Sequence, residues 1–151
     1  MQQISGQPAR ELRPEQAILG LVTKSANDAA AALAELLGGS EERFAQMMTV
    51  RARALGMSNT NFENASGLPD FQQVTTARDM ATLARRLIRD FPGYYRYFAT
   101  PSFMWHGRTM FNPHRLLVSY PGADGLKTGY THASGYNLIT SAVRGGTRLI
   151  G

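Results

Sequence analysis

One segment organises this 151-residue chain: Asp124-Gly125-Leu126-Lys127-Thr128-Gly129-Tyr130-Thr131. Glycines bracket a short run that predicts a β-strand over 126–130. The Lys127 ammonium and the Thr128 hydroxyl can hold an anion together. Gly129 lacks a Cβ, so another extended chain can lie close against the strand there. An ordinary polar strand end could also contain these three residues, so a site here needs support from elsewhere in the chain.

Two β-hairpins are predicted around this segment, and helices are predicted before it. Strand periodicity covers 102–105, 108–111, 136–144 and 147–150, with glycine-containing turns at 106–107 and 145–146. Helical periodicity covers 14–22, 29–37, 40–55 and 76–88. Helices come first and strands follow, without alternating βαβ units. The predicted fold class is therefore α+β, with a helical cluster packed on an antiparallel sheet.

A short polar connection, Ser25-Ala26-Asn27, separates the first two predicted helices. Serine and asparagine favour helix caps and turns because their side chains hydrogen-bond to nearby backbone groups. A tight link between two buried helices fixes the direction of short side chains. Ser25 and Asn27 are therefore candidate site residues, although they lie far upstream of Lys127.

Composition excludes several kinds of function. The chain has no cysteine, which excludes disulfides, thiolate metal sites and cysteine nucleophiles. No apolar run approaches the length of a membrane span, and residues 1–13 lack the apolar core of a signal peptide. The net charge is +5, but the arginines are scattered, which favours a solvated helix face over a nucleic-acid surface. A basic chain also suits a negatively charged polymer such as a cell wall.

Several longer motifs occur in a fixed order around the Ser-x-Asn and Lys-Thr-Gly tripeptides. They cover 21–30, 55–57, 64–68, 76–80, 112–117 and 120–131. From about residue 15 onward the chain resembles the serine-type D-alanyl-D-alanine carboxypeptidases, the low-molecular-mass penicillin-binding proteins. The resemblance implies a β-lactamase/transpeptidase-like fold and a location at the periplasmic or outer face of a bacterial inner membrane. It also implies peptidoglycan stem peptides as substrates and β-lactams as covalent ligands of the intact enzyme.

The resemblance further implies a role for each candidate site residue. In the family, the serine of a Ser-x-x-Lys motif attacks the D-Ala-D-Ala peptide bond, D-alanine leaves, and water cleaves the acyl-serine. Ser25 would relay a proton to the leaving amine, and Asn27 would hold the substrate's peptide group. Lys127 would supply positive potential, and Thr128 would bind the terminal carboxylate. The substrate would add to the strand, with the Tyr130 N–H as an oxyanion donor.

The chain departs from the family at the nucleophile, because none of its serines has a lysine three positions later. In the family that serine precedes the Ser-x-Asn motif by more than the 24 residues present here. We therefore expect a fragment that is incomplete at both ends and does not turn over substrate by itself. Its expected organisation is a tail or loop over 1–14 and a partial transpeptidase-like carboxypeptidase domain over 15–151.

Two alternatives differ in kind from a carboxypeptidase fragment. One is a non-catalytic module that uses Asn27, Lys127 and Thr128 to bind D-Ala-D-Ala or cell-wall peptides without cleaving them. The other is an unrelated serine hydrolase that uses His106, His114 or His132. It is disfavoured because the chain has no Gly-x-Ser-x-Gly elbow and no carboxylate placed to orient a histidine. The histidines also lack metal-ligand spacing, so neither a metal nor a cofactor is expected.

Overall fold

A computed structural model describes residues 13–151. Residues 1–12, most of the tail predicted over 1–14, lie outside the described part. The helices are α1 Pro14–Lys24, α2 Asn27–Gly38, α3 Glu41–Ala54, α4 Ala77–Asp90, α5 Pro92–Tyr95 and α6 Leu116–Ser119, with a 3₁₀ turn at Arg96–Ala99. The strands are β1 Ser102–Trp105, β2 Arg108–Phe111, β3 Ala123–Thr131, β4 Gly135–Arg144 and β5 Thr147–Ile150. Within 13–151, no helix has both the length and the apolar character needed to cross a membrane.

The strands form two antiparallel sheets. β3, β4 and β5 pair in chain order, and β1 and β2 form a separate hairpin. Both predicted hairpins are therefore confirmed. At the β4–β5 turn, Gly145 and Gly146 have φ angles of 55° and 77°. A two-residue turn that matches the twist of its strands needs positive φ at both positions, which explains the glycine pair.

The helices pack on the three-stranded sheet through a compact apolar core. Ala84 of α4, Tyr95 of α5 and Leu126 of β3 are buried together, and Ile139 and Ile150 from the other two strands pack against them. This contact places a helical layer on an antiparallel sheet, as the α+β prediction requires. Because Leu126 is held in this core, the backbone of the next residue, Lys127, is also held in place.

A second core joins α1 to α2. Ala17, Ala26 and Ala29 are buried against one another, and Leu21 and Leu33 pack around them. Alanine side chains are small, so the two helices approach closely around the junction between them. The junction is therefore held from both sides by packed helices.

The long loop over 57–74 is tied to α4 by a buried carboxylate. The Thr76 hydroxyl caps α4 by accepting from the Asp79 N–H at 3.1 Å. The Asp79 carboxylate then accepts from the Asn59 N–H at 2.9 Å and from the Thr60 hydroxyl at 2.7 Å. The hydrogen bond from Thr60 is the main reason why the pKa of Asp79 is lower than usual. Asp79 thus connects two segments that sequence periodicity describes separately.

Candidate active site

Ser25 ends α1 in a conformation that serine rarely adopts. Its φ and ψ are 53° and 46°, and this left-handed region costs a residue with a Cβ about 1–2 kcal/mol. Two backbone hydrogen bonds close the turn: the Ser25 N–H donates to the Leu21 carbonyl at 3.1 Å, and the Ala26 N–H donates to the Gly20 carbonyl at 3.3 Å. Strained residues that their surroundings hold in place concentrate at functional sites.

Ala26 and Asn27 continue this junction into α2. Ala26 has no exposed surface, so the link cannot move independently of the two helices. Asn27 is the first residue of α2 and is half-buried. Within residues 13–151 its side-chain amide makes no hydrogen bond. The amide can therefore donate to and accept from a ligand beside Ser25.

Lys127 reaches from β3 to the Ser25 hydroxyl. Its Nζ donates to Ser25 Oγ and, at 2.7 Å, to the Thr128 carbonyl. The ion pairs formed among residues 13–151 do not include this ammonium. Burial lowers the pKa of Lys127, because a desolvated ammonium is less favourable than a hydrated one. The site therefore holds a partly desolvated cation that no nearby carboxylate neutralises.

Beyond Lys127, one edge of β3 has no strand beside it among the described residues. β3 pairs with β4 alone, and the sheet order is β3-β4-β5. Thr128 is half-buried, whereas Gly129 and Tyr130 are exposed along this edge. A Cβ added at Gly129 would meet nothing within 4 Å, so the face of the sheet is open at this residue. An extended peptide can pair with such an edge as an additional strand.

An ion pair fixes the first residues of β3. Arg148 of β5 lies 2.8 Å from the Asp124 carboxylate, and the Tyr95 hydroxyl donates to the same carboxylate at 3.1 Å. Burial raises the pKa of Tyr95 to about 12, so this hydroxyl keeps its proton at neutral pH. Arg148 also donates to the Ser141 hydroxyl at 2.6 Å. Sequence reasoning missed this group, since no spacing rule links residues from α5, β3 and β5.

The histidines do not assemble a second hydrolytic site. His106 lies exposed on the β1–β2 turn against the Trp105 ring, and His132 is exposed after β3. His114 is buried, with Nε2 at 3.1 Å from the Gly125 carbonyl. Within 13–151 none of these imidazoles hydrogen-bonds to a serine. No three His, Asp or Glu side chains in this part of the chain form a group that could hold a metal ion.

The structure thus brings some of the predicted site residues into contact and aligns the others beside them. Ser25 and Lys127 touch, and Asn27 follows Ser25 at the start of α2. Thr128 and Tyr130 continue along the same strand, with Gly129 between them. The arrangement places a hydroxyl, an amide and a cation at one end of an open strand edge. It can bind an extended peptide that ends in an anion.

A helical layer on an antiparallel sheet, with a Ser-x-Asn junction held against a Lys-Thr-Gly strand, is the arrangement of the β-lactamase/transpeptidase-like fold. The chain belongs to the D-alanyl-D-alanine carboxypeptidase family, whose model matches residues 2–151.

Sequence relatives agree with this assignment. D-alanyl-D-alanine carboxypeptidase DacF of Bacillus subtilis (strain 168) is 37% identical over 156 residues, which cover 98% of this chain and 39% of DacF. DacA of Escherichia coli (strain K12) is 38% identical over 144 residues, covering 95% of this chain and 36% of DacA. The chain therefore spans less than two fifths of the length of these curated relatives.

Solved structures confirm the predicted transpeptidase-like fold. A D-alanyl-D-alanine carboxypeptidase from Mycobacterium tuberculosis H37Rv matches with a TM-score of 0.90 and 31% identity, over 99% of this chain and 58% of that one. Penicillin-binding protein D2 from Listeria monocytogenes, in its ampicillin-bound form, matches with a TM-score of 0.82 and 37% identity. That match covers 90% of this chain and 57% of the Listeria chain.

Proposed function

We propose that this chain carries the substrate-binding and proton-relay part of a peptidoglycan D-alanyl-D-alanine carboxypeptidase. Such an enzyme removes the terminal D-alanine of cell-wall stem peptides through an acyl-serine. The observation that carries the proposal is the contact between the Lys127 ammonium and the Ser25 hydroxyl, 102 residues apart in the chain. A strained serine and a desolvated lysine each cost stability, so their meeting is best explained by a task that needs both.

The charge at this site favours a ligand with a carboxylate. An ammonium has three N–H donors, and Lys127 uses one toward Ser25 and one toward the Thr128 carbonyl. The third remains for a ligand. The Thr128 hydroxyl stands next in the strand and can donate to the same anion. A peptide that pairs with the open edge of β3 and ends in a free carboxylate would satisfy both groups.

The remaining residues fit the steps of the reaction. The Ser25 hydroxyl relays the proton that the nucleophilic serine loses to the nitrogen of the leaving D-alanine, so Ser25 ends with its own proton restored, and Lys127 stabilises the charge that develops beside it. The Asn27 amide holds the substrate's peptide group, and the Tyr130 N–H donates to the oxyanion. The nucleophile is assigned to a Ser-x-x-Lys serine of the intact enzyme, because this chain contains no such motif.

The proposal also gives the chain a location and a class of inhibitor. Peptidoglycan lies outside the cytoplasmic membrane, so the intact enzyme would work in the periplasm or at the outer face of that membrane. β-Lactams would acylate the same serine that the substrate acylates. The ampicillin-bound form of the Listeria relative supports this expectation.

Peptide binding and penicillin labelling test the proposal together. The peptide is an N-acetylated stem analogue that ends in D-Ala-D-Ala. Its two controls are the same peptide with a C-terminal amide and the peptide that ends in L-Ala-L-Ala. We expect binding of the D,D-acid and weaker binding of both controls. Equal affinity for all three peptides would overturn the proposed site. Labelling with a fluorescent penicillin, followed by intact-mass analysis, should leave the chain unmodified; an adduct would show that a serine of this chain is a nucleophile.

The second candidate is a binding module that holds D-Ala-D-Ala without cleaving it. The observation that favours it is specific: Ser25, Asn27, Lys127 and Thr128 are all present in a chain without a Ser-x-x-Lys motif. Measurement of released D-alanine separates the two candidates when it is made on the product of the complete source gene. Release of D-alanine would assign the chain to a working carboxypeptidase. Tight binding of the peptide without release of D-alanine would assign it to a non-catalytic binding module.

A further inference from the structure

His114 is a buried polar side chain that the proposed reaction does not use. It lies between β2 and α6, and only 2% of its surface is exposed. Its Nε2 is 3.1 Å from the Gly125 carbonyl. Its Nδ1 is fully buried and has no hydrogen-bond partner among the described residues. A buried imidazole with one engaged and one orphaned nitrogen calls for an explanation.

The partners of the ring determine its protonation state. A carbonyl oxygen can only accept, so Nε2 carries the proton and donates to Gly125. Nδ1 then holds a lone pair, and a proton added there would be buried without an acceptor. Burial accordingly lowers the pKa of His114, and the positive charge of Lys127 acts in the same direction. The ring is neutral, with a single N–H that is directed at the backbone of β3.

The carbonyl that His114 holds belongs to an irregular part of β3. The pairing of β3 with β4 shifts register between Ala123 and Gly125, so Gly125, opposite Ser141, is the first residue of the regular ladder after the shift. The Thr140 hydroxyl donates to the same Gly125 carbonyl at 3.0 Å. We call His114, Gly125 and Thr140 the Gly125 clamp. Two side chains thus reinforce the ladder at the point where it resumes after the register shift.

Close packing leaves no room for a side chain at Gly125. A Cβ placed on Gly125 would lie 2.8 Å from the Tyr95 hydroxyl and 3.0 Å from the Phe98 Cβ. The backbone therefore passes directly against α5 and the 3₁₀ turn. A strand pressed from one side and hydrogen-bonded from the other has little room to slide. Lys127 stands two residues further along the same strand.

We propose that His114 is a positioning residue for Lys127: it sets the start of β3 so that the ammonium reaches the Ser25 hydroxyl. Without the donor at Gly125, the strand can relax at its register shift, and the ammonium moves toward solvent. The inference rests on the role proposed for Lys127. Its test, however, reports where the ammonium lies, whether or not the chain binds a stem peptide.

The test follows the titration of lysine side chains by NMR. The chain has two lysines, Lys24 and Lys127, so lysine labelled with ¹³C at Cε gives two signals, and Lys24 is an internal control. His114→Phe keeps a buried ring but removes the donor. His114→Gln keeps an amide N–H that can reach the same carbonyl. The thermal midpoint of each variant is measured in parallel, so that a loss of stability is scored separately.

We expect His114→Phe to raise the pKa of Lys127 by about half a unit or more, as the ammonium regains water, with no change at Lys24. His114→Gln should titrate like the unmodified chain. A His114→Phe variant that lowers the thermal midpoint but leaves the Lys127 titration unchanged would show a purely structural role. The proposal is equally overturned if the Gln and Phe variants titrate alike.

A measurement on the unmodified chain covers the case in which His114→Phe does not fold. The ¹⁵N shifts of the histidine rings distinguish the two neutral tautomers and the cation. We expect His114 to carry its proton on Nε2 at pH 7, with a scalar coupling across the hydrogen bond to the Gly125 carbonyl. A proton on Nδ1, or a charged ring at this pH, would refute the clamp.

Discussion

Replacing Lys127 by methionine should separate ligand binding from stability. Methionine matches the length of the lysine stem but removes the charge and all three N–H donors. In the folded chain these donors reach the Ser25 hydroxyl and the Thr128 carbonyl, and one is left for a ligand. We therefore expect Lys127→Met to bind the D-Ala-D-Ala acid poorly while remaining folded.

The size of the binding effect follows from the hydrogen bond that is lost. A hydrogen bond between an ammonium and a carboxylate contributes about 1.5–3 kcal/mol. Since each 1.4 kcal/mol is a factor of ten, the dissociation constant should rise roughly 10- to 150-fold. The C-terminal amide lacks the carboxylate, so its affinity should change far less.

Although Lys127→Met should weaken ligand binding, it should leave the stability of the fold unchanged or increase it. Burial lowers the pKa of Lys127, and no carboxylate of the described chain pairs with it. The folded state therefore pays a desolvation penalty for the charge that methionine does not have. We expect the thermal midpoint of Lys127→Met to equal or exceed that of the unmodified chain.

Lys24→Met is the matched control, because it removes the chain's other lysine, at the end of α1 beside Ser25, and leaves Lys127 in place. Peptide-induced shifts of the Gly129 and Tyr130 amides in NMR titrations give the affinities of all three proteins. Unchanged affinity of Lys127→Met for the acid would refute the proposed role. So would an equal loss for the acid and the amide, since that would place the ammonium away from the carboxylate.

Three further substitutions test the geometry around the site. Gly125→Ala places a Cβ 2.8 Å from the Tyr95 hydroxyl and should lower the free energy of unfolding by about 1–3 kcal/mol in urea titrations. Ser25→Gly relieves the left-handed strain and should be about 1 kcal/mol more stable than Ser25→Ala; equal stability of the two would contradict the backbone conformation. The pKa of Asp79 is lowered by the hydrogen bond from Thr60, so its stabilisation is present above pH about 4 and lost as pH falls through the folded value. The stability of Asp79→Asn should therefore depend less on pH than that of the unmodified chain between pH 5 and 2, as followed by urea unfolding.

Features that depend on neighbouring residues could be predicted from the sequence. The helix predicted over 40–55 begins at Ser40, a residue type that favours helix caps, and the Ser40 hydroxyl caps α3 by accepting from the Arg43 N–H at 3.2 Å. The glycine pair at 145–146 forms the expected hairpin turn, and the strands over 102–105 and 108–111 pair as predicted. In each case one short segment contains all the information, because the hydrogen bonds involved span only a few residues.

Contacts between distant segments could not be predicted from local rules. Nothing in the residues around Ser25 indicates that its hydroxyl meets Lys127, and only the resemblance to a family joined the two. Asp79 falls within the helix predicted over 76–88, and periodicity gives no sign that its carboxylate holds the 57–74 loop through Asn59 and Thr60. His114 was considered only as a member of a hydrolytic group, whereas its partner is a backbone carbonyl. Such contacts depend on how the layers pack, which periodicity does not encode.

Three residues of this chain that cost folding stability lie close together, and their position supports the proposed functional site. Ser25 adopts a left-handed conformation. Among residues 13–151, Lys127 is a desolvated cation without an acidic partner, and His114 buries a nitrogen without a hydrogen-bond partner. All three are linked through β3: Lys127 touches Ser25, and His114 holds the backbone two residues before Lys127. A core selected for stability alone would replace each of them with glycine or an apolar side chain. Their clustering around β3 supports the proposal that this strand binds a ligand.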